Sequence, residues 1–376
     1  MPATFQLLFD SEPADDGFYE ALRSVEVEEN ADLPGAIRLT LPVTRSEAGE
    51  LTFVDDERLK PYANVALVVQ PESGSAECIF DGYVLAHRLH IERGLTSATL
   101  SVWGQDASWL MNLEEKVREW VDLSDADVAG TIFGEHGITP ADANGADPSP
   151  THPESGHSLM QRSTDAKLLR ELARRSGKLF RVCCGEQPGQ RIGWFAAPDL
   201  AADPAFTICL NDPEAWNVQA LDFEWEVTRP SAVAARQALF DDPAEDGVDG
   251  GTEDAGLPLL DERGLADFAG RPMTVRLTAT VDDAGELGQR AAAVLRDAGW
   301  FVRCEGEAEL SRLGAVPRVG SVVEVEGVGS THSGSYLLWS VRHTISADSH
   351  VVRFVLLRNA VGPAPQGGDG LLGGLP

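Results

Sequence analysis

Residues 161–180, Gln-Arg-Ser-Thr-Asp-Ala-Lys-Leu-Leu-Arg-Glu-Leu-Ala-Arg-Arg-Ser-Gly-Lys-Leu-Phe, contain the clearest helix signal of the chain. Ser163 or Thr164 can cap the helix, and Asp165 lies in its first turn, where an acid complements the helix dipole. Gly177 is expected to end the helix. Apolar residues recur at helical spacing and predict a buried stripe formed by Leu168, Leu169 and Leu172.

The helix leads into a predicted β-hairpin with arms at residues 178–184 and 191–197. The segment between the arms, Gly-Glu-Gln-Pro-Gly-Gln, is rich in residues that favour turns. Residues 161–197 therefore predict a helix that is followed directly by two antiparallel strands.

The segment before this helix is also predicted to be partly helical. Residues 106–120 favour a helix, and Ser124 with Asp127 has the pattern of a capping box for a second helix that closes at Gly137. Residues 140–153 contain four prolines and predict a loop. Together with the hairpin, these segments predict a mixed α/β middle region.

The first hundred residues are predicted to be β. Strand candidates lie at residues 36–43, 65–69, 78–92 and 96–104. Pro42 favours a strand edge or end, and Gly82 is expected to mark a bulge or bend. In the last of these segments the apolar residues alternate with polar ones, which is typical of a half-buried strand: Ala98, Leu100 and Val102.

The last third of the chain returns to β. Strands are predicted at residues 221–227, 273–281 and 321–328, followed by a hairpin with arms at 336–345 and 351–357. Alternation predicts one shared face for Leu221, Phe223, Trp225 and Val227, and another for Leu337, Trp339, Val341, His343 and Ile345. A helix is expected from a cap at Asp282 or Asp283 to Ala298, ended by Gly299.

Two segments are not expected to fold into regular structure. Residues 241–256 are acidic and glycine-rich and predict a mobile loop, while residues 362–376 predict a linker or flexible tail. The fold class that follows is mainly β with an α+β middle region. The predicted domains are residues 1–110, 111–215 and 216–362, followed by a tail at 363–376.

Composition excludes several classes of function. Of the 376 residues, 60 are acidic and 30 are basic, which gives a formal net charge of −30, so direct nucleic-acid binding through phosphates is not expected. The chain has no apolar run of membrane-spanning length and no basic start typical of a secretory signal, so neither membrane insertion nor secretion is expected. Its five cysteines are odd in number and lack a C-x-x-C spacing, which predicts free thiols.

The candidate chemical residues do not form a recognisable site. His87 and His90 are predicted to face opposite sides of a strand, and His152 and His157 lie in the proline-rich loop. His343 is expected to be a core histidine. The clusters Asp55-Asp56-Glu57 and Asp241-Asp242 lack a calcium-binding spacing. We therefore predict no catalytic, cofactor-binding or metal-binding residues, no cofactor, and no enzyme. The alternative is a tail-associated cell-wall hydrolase that uses Asp55, Asp56 and His343.

Three motifs occur in the order found in one family. Residues 161–180 resemble a segment of phage late control protein D and of the hub part of type VI VgrG spike proteins, in which a glutamine and a Thr/Ser-Asp pair precede a leucine-rich helix. Residues 336–345 with 354–358, Phe-Val-Leu-Leu-Arg, resemble the closing hairpin of that family. Phe80-Asp-Gly-Tyr-Val84 is similar to its Phe-x-Gly-x-Val strand.

The resemblance implies a structural baseplate hub of a contractile tail or injection system. It implies two tube-like β-barrel domains that flank the mixed domain, and a homotrimer whose pseudo-sixfold ring adapts a hexameric inner tube to a trimeric spike. The expected partners are the inner tube protein, a separate spike protein and baseplate or adaptor proteins. The expected location is the cytoplasm during assembly, and then the baseplate of a phage tail or injection particle.

Overall fold

The computed structural model describes residues 4–47, 49–72, 74–94, 97–145, 149–155, 158–237, 248–279, 281 and 284–363. Several predictions fall outside this part of the chain: the tail after residue 363, residues 241–247 of the acidic loop, the caps Asp282 and Asp283, and His157. The described residues lie mostly in strands with few helices, which confirms the mainly β fold class.

The first β region is an antiparallel sheet. Its strands are β1 (Thr4–Phe9), β2 (Glu12–Pro13), β3 (Ser24–Asn30), β4 (Ala36–Pro42), β5 (Asn64–Gln70), β6 (Glu77–His90) and β7 (Thr99–Asp106), with helix α1 (Asp16–Ala21) after β2. The strands pair in the order β3-β4-β7-β6-β5-β1-β2. As predicted, alternate residues of β7 are buried and Pro42 is the last residue of β4.

Gly82 lies within β6, and of the bulge or bend expected there, the bulge does not fall on Gly82 itself. The register shifts lie on either side of it, at Ile79 opposite β5 and at Leu85 opposite β7. Gly82 is required for a different reason, because a Cβ atom there would lie 2.1 Å from the carbonyl oxygen of Gln105 on β7. The glycine allows two backbones to approach closely.

The middle region combines short strands with two longer helices. Its elements are β8 (Lys116–Trp120), β9 (Leu123–Ser124), α2 (Asp125–Glu135), β10 (Thr139–Pro140), β11 (Thr151–His152), β12 (Leu159–Ser163), α3 (Asp165–Ser176), β13 (Leu179–Cys184) and β14 (Arg191–Ala196). The predicted hairpin is confirmed as β13 and β14. A separate apolar cluster of this region contains residues between Ala107 and Phe195.

The helix predicted over residues 106–120 was wrong in its second half. A short 3₁₀ helix at Ala107–Asn112 follows Asp106, and residues 116–120 form β8, which pairs antiparallel with β12. Buried and exposed positions alternate in β12, and β8 ends on the buried Trp120. Residues 116–120 form a strand because they pair with a segment about 40 residues further along the chain, and a local propensity cannot reveal such a partner.

Helix α3 matches its prediction. The Thr164 side chain accepts a hydrogen bond from the Lys167 amide, so Thr164, and not Ser163, is the cap. The three predicted leucines are buried, and Gly177 ends the helix at a φ of 66°. Helix α2 likewise begins with the predicted capping box of Ser124 and Asp127.

The second β region contains a long hairpin and a small inserted sheet. Its elements are β15 (Thr207–Cys209), β16 (Ala220–Trp225), β17 (Ala232–Gln237), β18 (Val248–Asp249), β19 (Arg263–Gly264), α4 (Leu265–Ala269), β20 (Thr274–Leu277), α5 (Ala284–Ala298), β21 (Val302–Glu309), α6 (Leu310–Leu313), β22 (Val322–Glu326), β23 (Gly334–Ile345), β24 (His350–Arg358) and β25 (Ala360–Val361). The predicted hairpin of β23 and β24 is confirmed.

Two predicted apolar faces were partly wrong. The pairing of β23 with β24 shifts register at Trp339, so Leu337 packs in a different apolar cluster from Val341 and Ile345. On β16, Trp225 is exposed and makes an edge contact with Phe268. A bulge reverses which side chains face the core, and period-two reasoning cannot anticipate it.

The inserted sheet has the order β18-β17-β20 and packs on α5. The prediction of an irregular loop was wrong for residues 248–252, because β18 pairs with β17 and Thr252 bridges Val233. Within the described part of the chain no helix combines the length and apolar character needed to cross a membrane.

The two β regions are halves of one sheet. Strand β3 of the first region pairs antiparallel with β23 of the second, with Glu28 directly opposite Arg342. A single apolar cluster also extends from Leu7 to Val361 and includes residues of both regions. The two halves therefore share one ladder of backbone hydrogen bonds and one hydrophobic core.

Candidate assembly site

The glutamine and aspartate of the quoted motif form a buried polar cluster under β8 and β12. Gln161 Nε2 donates to Asp165 Oδ1 at 2.7 Å, and Gln161 Oε1 accepts from Trp120 Nε1 at 3.1 Å. Lys116 Nζ and His136 Nε2 lie 2.6 and 2.8 Å from Asp165 Oδ2. Although burial raises the pKa of the Asp165 carboxyl, these hydrogen bonds lower that pKa below its ordinary value. The cluster holds the two strands against α3.

The outer side of the same two strands carries exposed apolar side chains beside charged ones. Val117 and Met160 have exposed fractions of 81% and 44%, and Leu113 just before β8 is 61% exposed. The register places Val117 opposite Arg162 and Met160 opposite Glu119, so these four side chains share one surface, the ribbon face. Exposed apolar side chains on strands that a buried polar cluster holds in place are typical of a contact site.

A second buried cluster joins the three regions. Arg318, before β22, donates to Glu29 of β3 at 2.9 Å and to the Cys78 carbonyl oxygen of β6 at 2.7 Å, and lies 3.5 Å from the Cys184 sulfur of β13. Burial lowers the Arg318 pKa, but Glu29 together with Cys184 and Cys183 outweighs this effect, so the Arg318 pKa is raised. The Cys184 thiol has a pKa well above its usual range because of its hydrogen bond with Cys78 and its burial. This thiol is therefore unreactive.

The arginine of the closing motif forms a third cluster within the second β region. Arg358 is fully buried and forms an ion pair with Asp261, which lies just before β19. Its guanidinium also donates to the Ser333 carbonyl oxygen at 3.1 Å and lies 5.0 Å from the ring centre of Tyr336. Gly334, at a φ of 123°, leaves room for it, because a Cβ there would lie 2.5 Å from Arg358 Nη2. The arginine thus fastens the loop before β19 to the hairpin.

The solvent side of the shared sheet carries ion pairs across neighbouring strands. The register aligns Glu307, Arg353, Arg342 and Glu28 in one row over β21, β24, β23 and β3. Arg342 binds Glu28 at 2.5 Å, and Arg353 pairs with Glu307. The row therefore contains two ion pairs, one of them across the join between the two β regions, and this face is polar.

The candidate catalytic residues do not meet. Asp55 is exposed, and Asp56 accepts hydrogen bonds from Arg58, which lower the Asp56 pKa. His343 is a buried core residue, as predicted, and its Nδ1 lies 3.0 Å from His350 Nε2. Asp56 lies in the connection between β4 and β5 and His343 lies on β23, and the two residues have different partners.

The other candidate ligands are also separate. His87 and His90 are exposed on β6, and His90 contacts Glu92. His152 is buried and lies 2.7 Å from Asp125 Oδ1. In the described ranges no group of three or more His, Cys, Asp or Glu side chains could hold a metal ion. All five cysteines are free thiols, which confirms that prediction.

Sequence reasoning found some of these polar clusters and missed others. Gln161, Asp165 and Arg358 belong to the family motifs, and each of these buried residues has a polar partner in the structure. Glu29 and Arg318 were missed, because they are 289 positions apart and no local pattern connects them. The available signal for Glu29 was its position, because it follows Val25 and Val27 at the alternate, buried positions of β3.

The fold is that of solved phage tail proteins. The prophage MuSo2 43 kDa tail protein from Shewanella oneidensis superposes with a TM-score of 0.67 at 14% identity, covering 96% of this chain and 99% of that one. A tail protein from Neisseria meningitidis MC58 gives 0.65 at 15% identity, covering 96% and 98%. The E. coli c3393 protein, a type VI secretion component similar to T4 tail proteins gp27 and gp5, gives 0.54 at 10% identity, covering 97% and 80%.

The family is also shown by sequence. The phage tail baseplate hub family (GPD) matches residues 36–349, so the chain belongs to this family. No curated protein has a matching sequence. The predicted family is confirmed, and with it the structural role of the chain as a hub component of a phage tail baseplate.

Proposed function

We propose that this hub protein works as a homotrimer that adapts a hexameric inner tube to a trimeric spike, and that it has no enzymatic activity. The observation that carries the proposal is the shared sheet, in which two β regions of one chain lie side by side through the pairing of β3 with β23. Three such chains would offer six β regions to a sixfold tube.

The proposed domains are residues 1–110, 111–215 and 216–362, with a tail at 363–376. The buried clusters around Arg318 and Asp165 support a rigid arrangement, because charged groups with buried partners tolerate little displacement. Rigidity suits a part that transmits force between a tube and a spike.

The proposed partners are the inner tube protein, a separate spike protein and baseplate or adaptor proteins, and the proposed site of assembly is the cytoplasm. We expect no direct nucleic-acid binding and no membrane insertion. The net charge of −30 supports the first expectation, because polyanionic cargo is repelled by an acidic wall.

The test is the mass of the purified chain by native mass spectrometry and light scattering, alone and with the tube and spike proteins encoded beside it. A trimer that binds both partners is expected. A strict monomer at high concentration that binds neither would overturn the proposal. Digestion of cell-wall material by the purified chain would overturn the absence of enzymatic activity.

A further inference from the structure

A cleft lies beside α4 and the end of α5, close to the place where the described chain ends. The segment from Glu253 to Leu259 and Asn359, just after β24, complete its walls. The cleft has a volume of about 320 Å³. Such a volume corresponds to about ten water molecules at their share of liquid volume, so the cleft has room for more than one side chain.

The inner part of the cleft is apolar. Leu265 of α4, Leu295 of α5 and Trp300 are buried there, while Leu259 at its edge is 52% exposed. Further apolar side chains that entered the cleft would leave water themselves and would cover the exposed leucine. The lining therefore favours an apolar occupant.

The chain leaves the described fold next to this cleft. Gly264 and Asn359 both line the cleft, and β25 pairs with β19 through Ala360 opposite Gly264. The Gly362 carbonyl oxygen accepts a hydrogen bond from Arg263 Nε at 2.9 Å. The chain is thus fastened at Gly362, within a few residues of the cleft wall.

We propose that Leu371 and Leu372 of the chain's own tail, residues 363–376, occupy this cleft. Leu371 is nine positions after Gly362, and an extended chain of that length spans about 30 Å. The glycines within this stretch allow the backbone to turn back towards the cleft. The contact lies within one chain, so it does not depend on the proposed trimer.

Charge favours this occupant over a second copy of the chain. Four charged residues line the cleft, and three of them are acidic: Glu253, Asp254, Asp267 and Arg296. Because the chain has a net charge of −30, the surface of another copy is repelled by such a lining. The tail contains one charged residue, Asp369, and its two adjacent leucines approach the cleft with little repulsion.

The covalent connection favours the tail over a separate partner. A segment joined by a short linker has an effective concentration on the order of 1 mM at its binding site. A weak contact is then sufficient to keep the cleft filled, whereas a separate partner needs a much tighter one. The docked leucines would hold α4 against the end of α5 and would cover Leu259.

The first experiment is a disulfide within one chain. The full-length double variant Leu259→Cys, Leu371→Cys is oxidised with diamide, and the linked peptides are identified by mass spectrometry. A disulfide between positions 259 and 371 is expected in a species that has the mass of one chain on a denaturing gel. The matched control combines Leu371→Cys with Ile91→Cys, a comparably exposed position just after β6, and should remain unlinked.

The second experiment measures amide hydrogen exchange of residues 253–267 in the full-length chain. Exchange there should be at least about threefold faster in the double variant Leu371→Asp, Leu372→Asp than in the parent, because a charged side chain does not enter an apolar cleft. The control Gln366→Asp adds a charge to the same tail outside the leucine pair and should keep the parent rate.

Each outcome supports or overturns the contact. A disulfide within one chain, together with faster exchange in the aspartate variant, supports it. Equal exchange in the parent and the aspartate variant overturns it, as does a disulfide that joins two chains. An aspartate variant that keeps the parent exchange rate but no longer binds the tube or spike protein also overturns it, because the leucines then dock on that partner.

Discussion

The two β regions share one sheet but bury different kinds of side chains. In the first region, β4 and β7 bury aliphatic residues at alternate positions. Two of its buried carboxylates, Asp81 and Asp106, accept hydrogen bonds from the backbone amides of Gly189 and Ser108, and the third, Glu29, binds Arg318 of the second region. In the second region, the hairpin of β23 and β24 itself contains the buried polar residues His343, His350 and Arg358.

This difference suggests that the two regions depend on different interactions to keep their strands in place. The first region depends on steric fit, as at Gly82, where the backbone of β7 leaves no room for a side chain. The second region depends on polar matching, in which a buried group that loses its partner is strongly penalised. Apolar changes should therefore matter most in the first region and polar changes in the second.

The largest effect is expected for Arg358→Met. The substitution leaves Asp261 without its cation in a partly buried position, so we expect a loss of about 3 kcal/mol in the free energy of unfolding. Denaturant unfolding measures it. Arg353→Met, on the exposed face of the same strand, is the control and should lose at most about 1 kcal/mol.

A second substitution that removes the charge of Asp261 tests whether the loss in Arg358→Met comes from the unpaired carboxylate. The double variant Arg358→Met with Asp261→Leu should recover most of the loss, since it removes both charges. Equal losses for Arg358→Met and Arg353→Met would show that the second region does not depend on its buried cation.

A smaller effect is expected for Gly82→Ala. The added methyl group overlaps the Gln105 carbonyl oxygen, so β6 and β7 must separate, and we expect a loss of about 1–3 kcal/mol in unfolding free energy. Gly130→Ala in helix α2 is the control. No atom lies within 4 Å of its new methyl group, and it should stabilise the chain slightly. An unchanged stability of Gly82→Ala would contradict the steric account of the first region.

The smallest effect on the free energy of unfolding at neutral pH is expected for His350→Gln. This effect should become visible when the pH is lowered. Burial lowers the His350 pKa to about 4, whereas an unfolded histidine titrates near pH 6.5. Between these values the unfolded state binds the proton more readily, so this histidine lowers stability as the pH falls from about 6.5 to about 4.

Unfolding free energies measured across that range should therefore fall less steeply in His350→Gln than in the parent chain. His87→Gln, at an exposed position, should keep the parent slope. Parallel curves for the parent chain and His350→Gln would show that the buried histidine does not carry this acid sensitivity.

Much of the fold could be predicted because the signals are local. The caps and stripe of α3, the capping box of α2 and the hairpins β13–β14 and β23–β24 all follow from residues that are close in sequence. The errors lie where distant segments meet: β8 was assigned to a helix, and the bulge at Trp339 reversed part of a face. Site prediction was limited in the same way, since Arg318 and Glu29 share no local pattern.

The sequence by itself determined the mainly β class, the caps of the helices, the acidic surface and the motifs of the baseplate hub family. These follow from composition, periodicity and short patterns, which need no partner strand. Only the tertiary structure decided that β3 and β23 join two β regions into one sheet, and that the ribbon face stays exposed. The reason is physical: hydrogen bonds between strands, and charges that need buried partners, depend on which distant segments become neighbours.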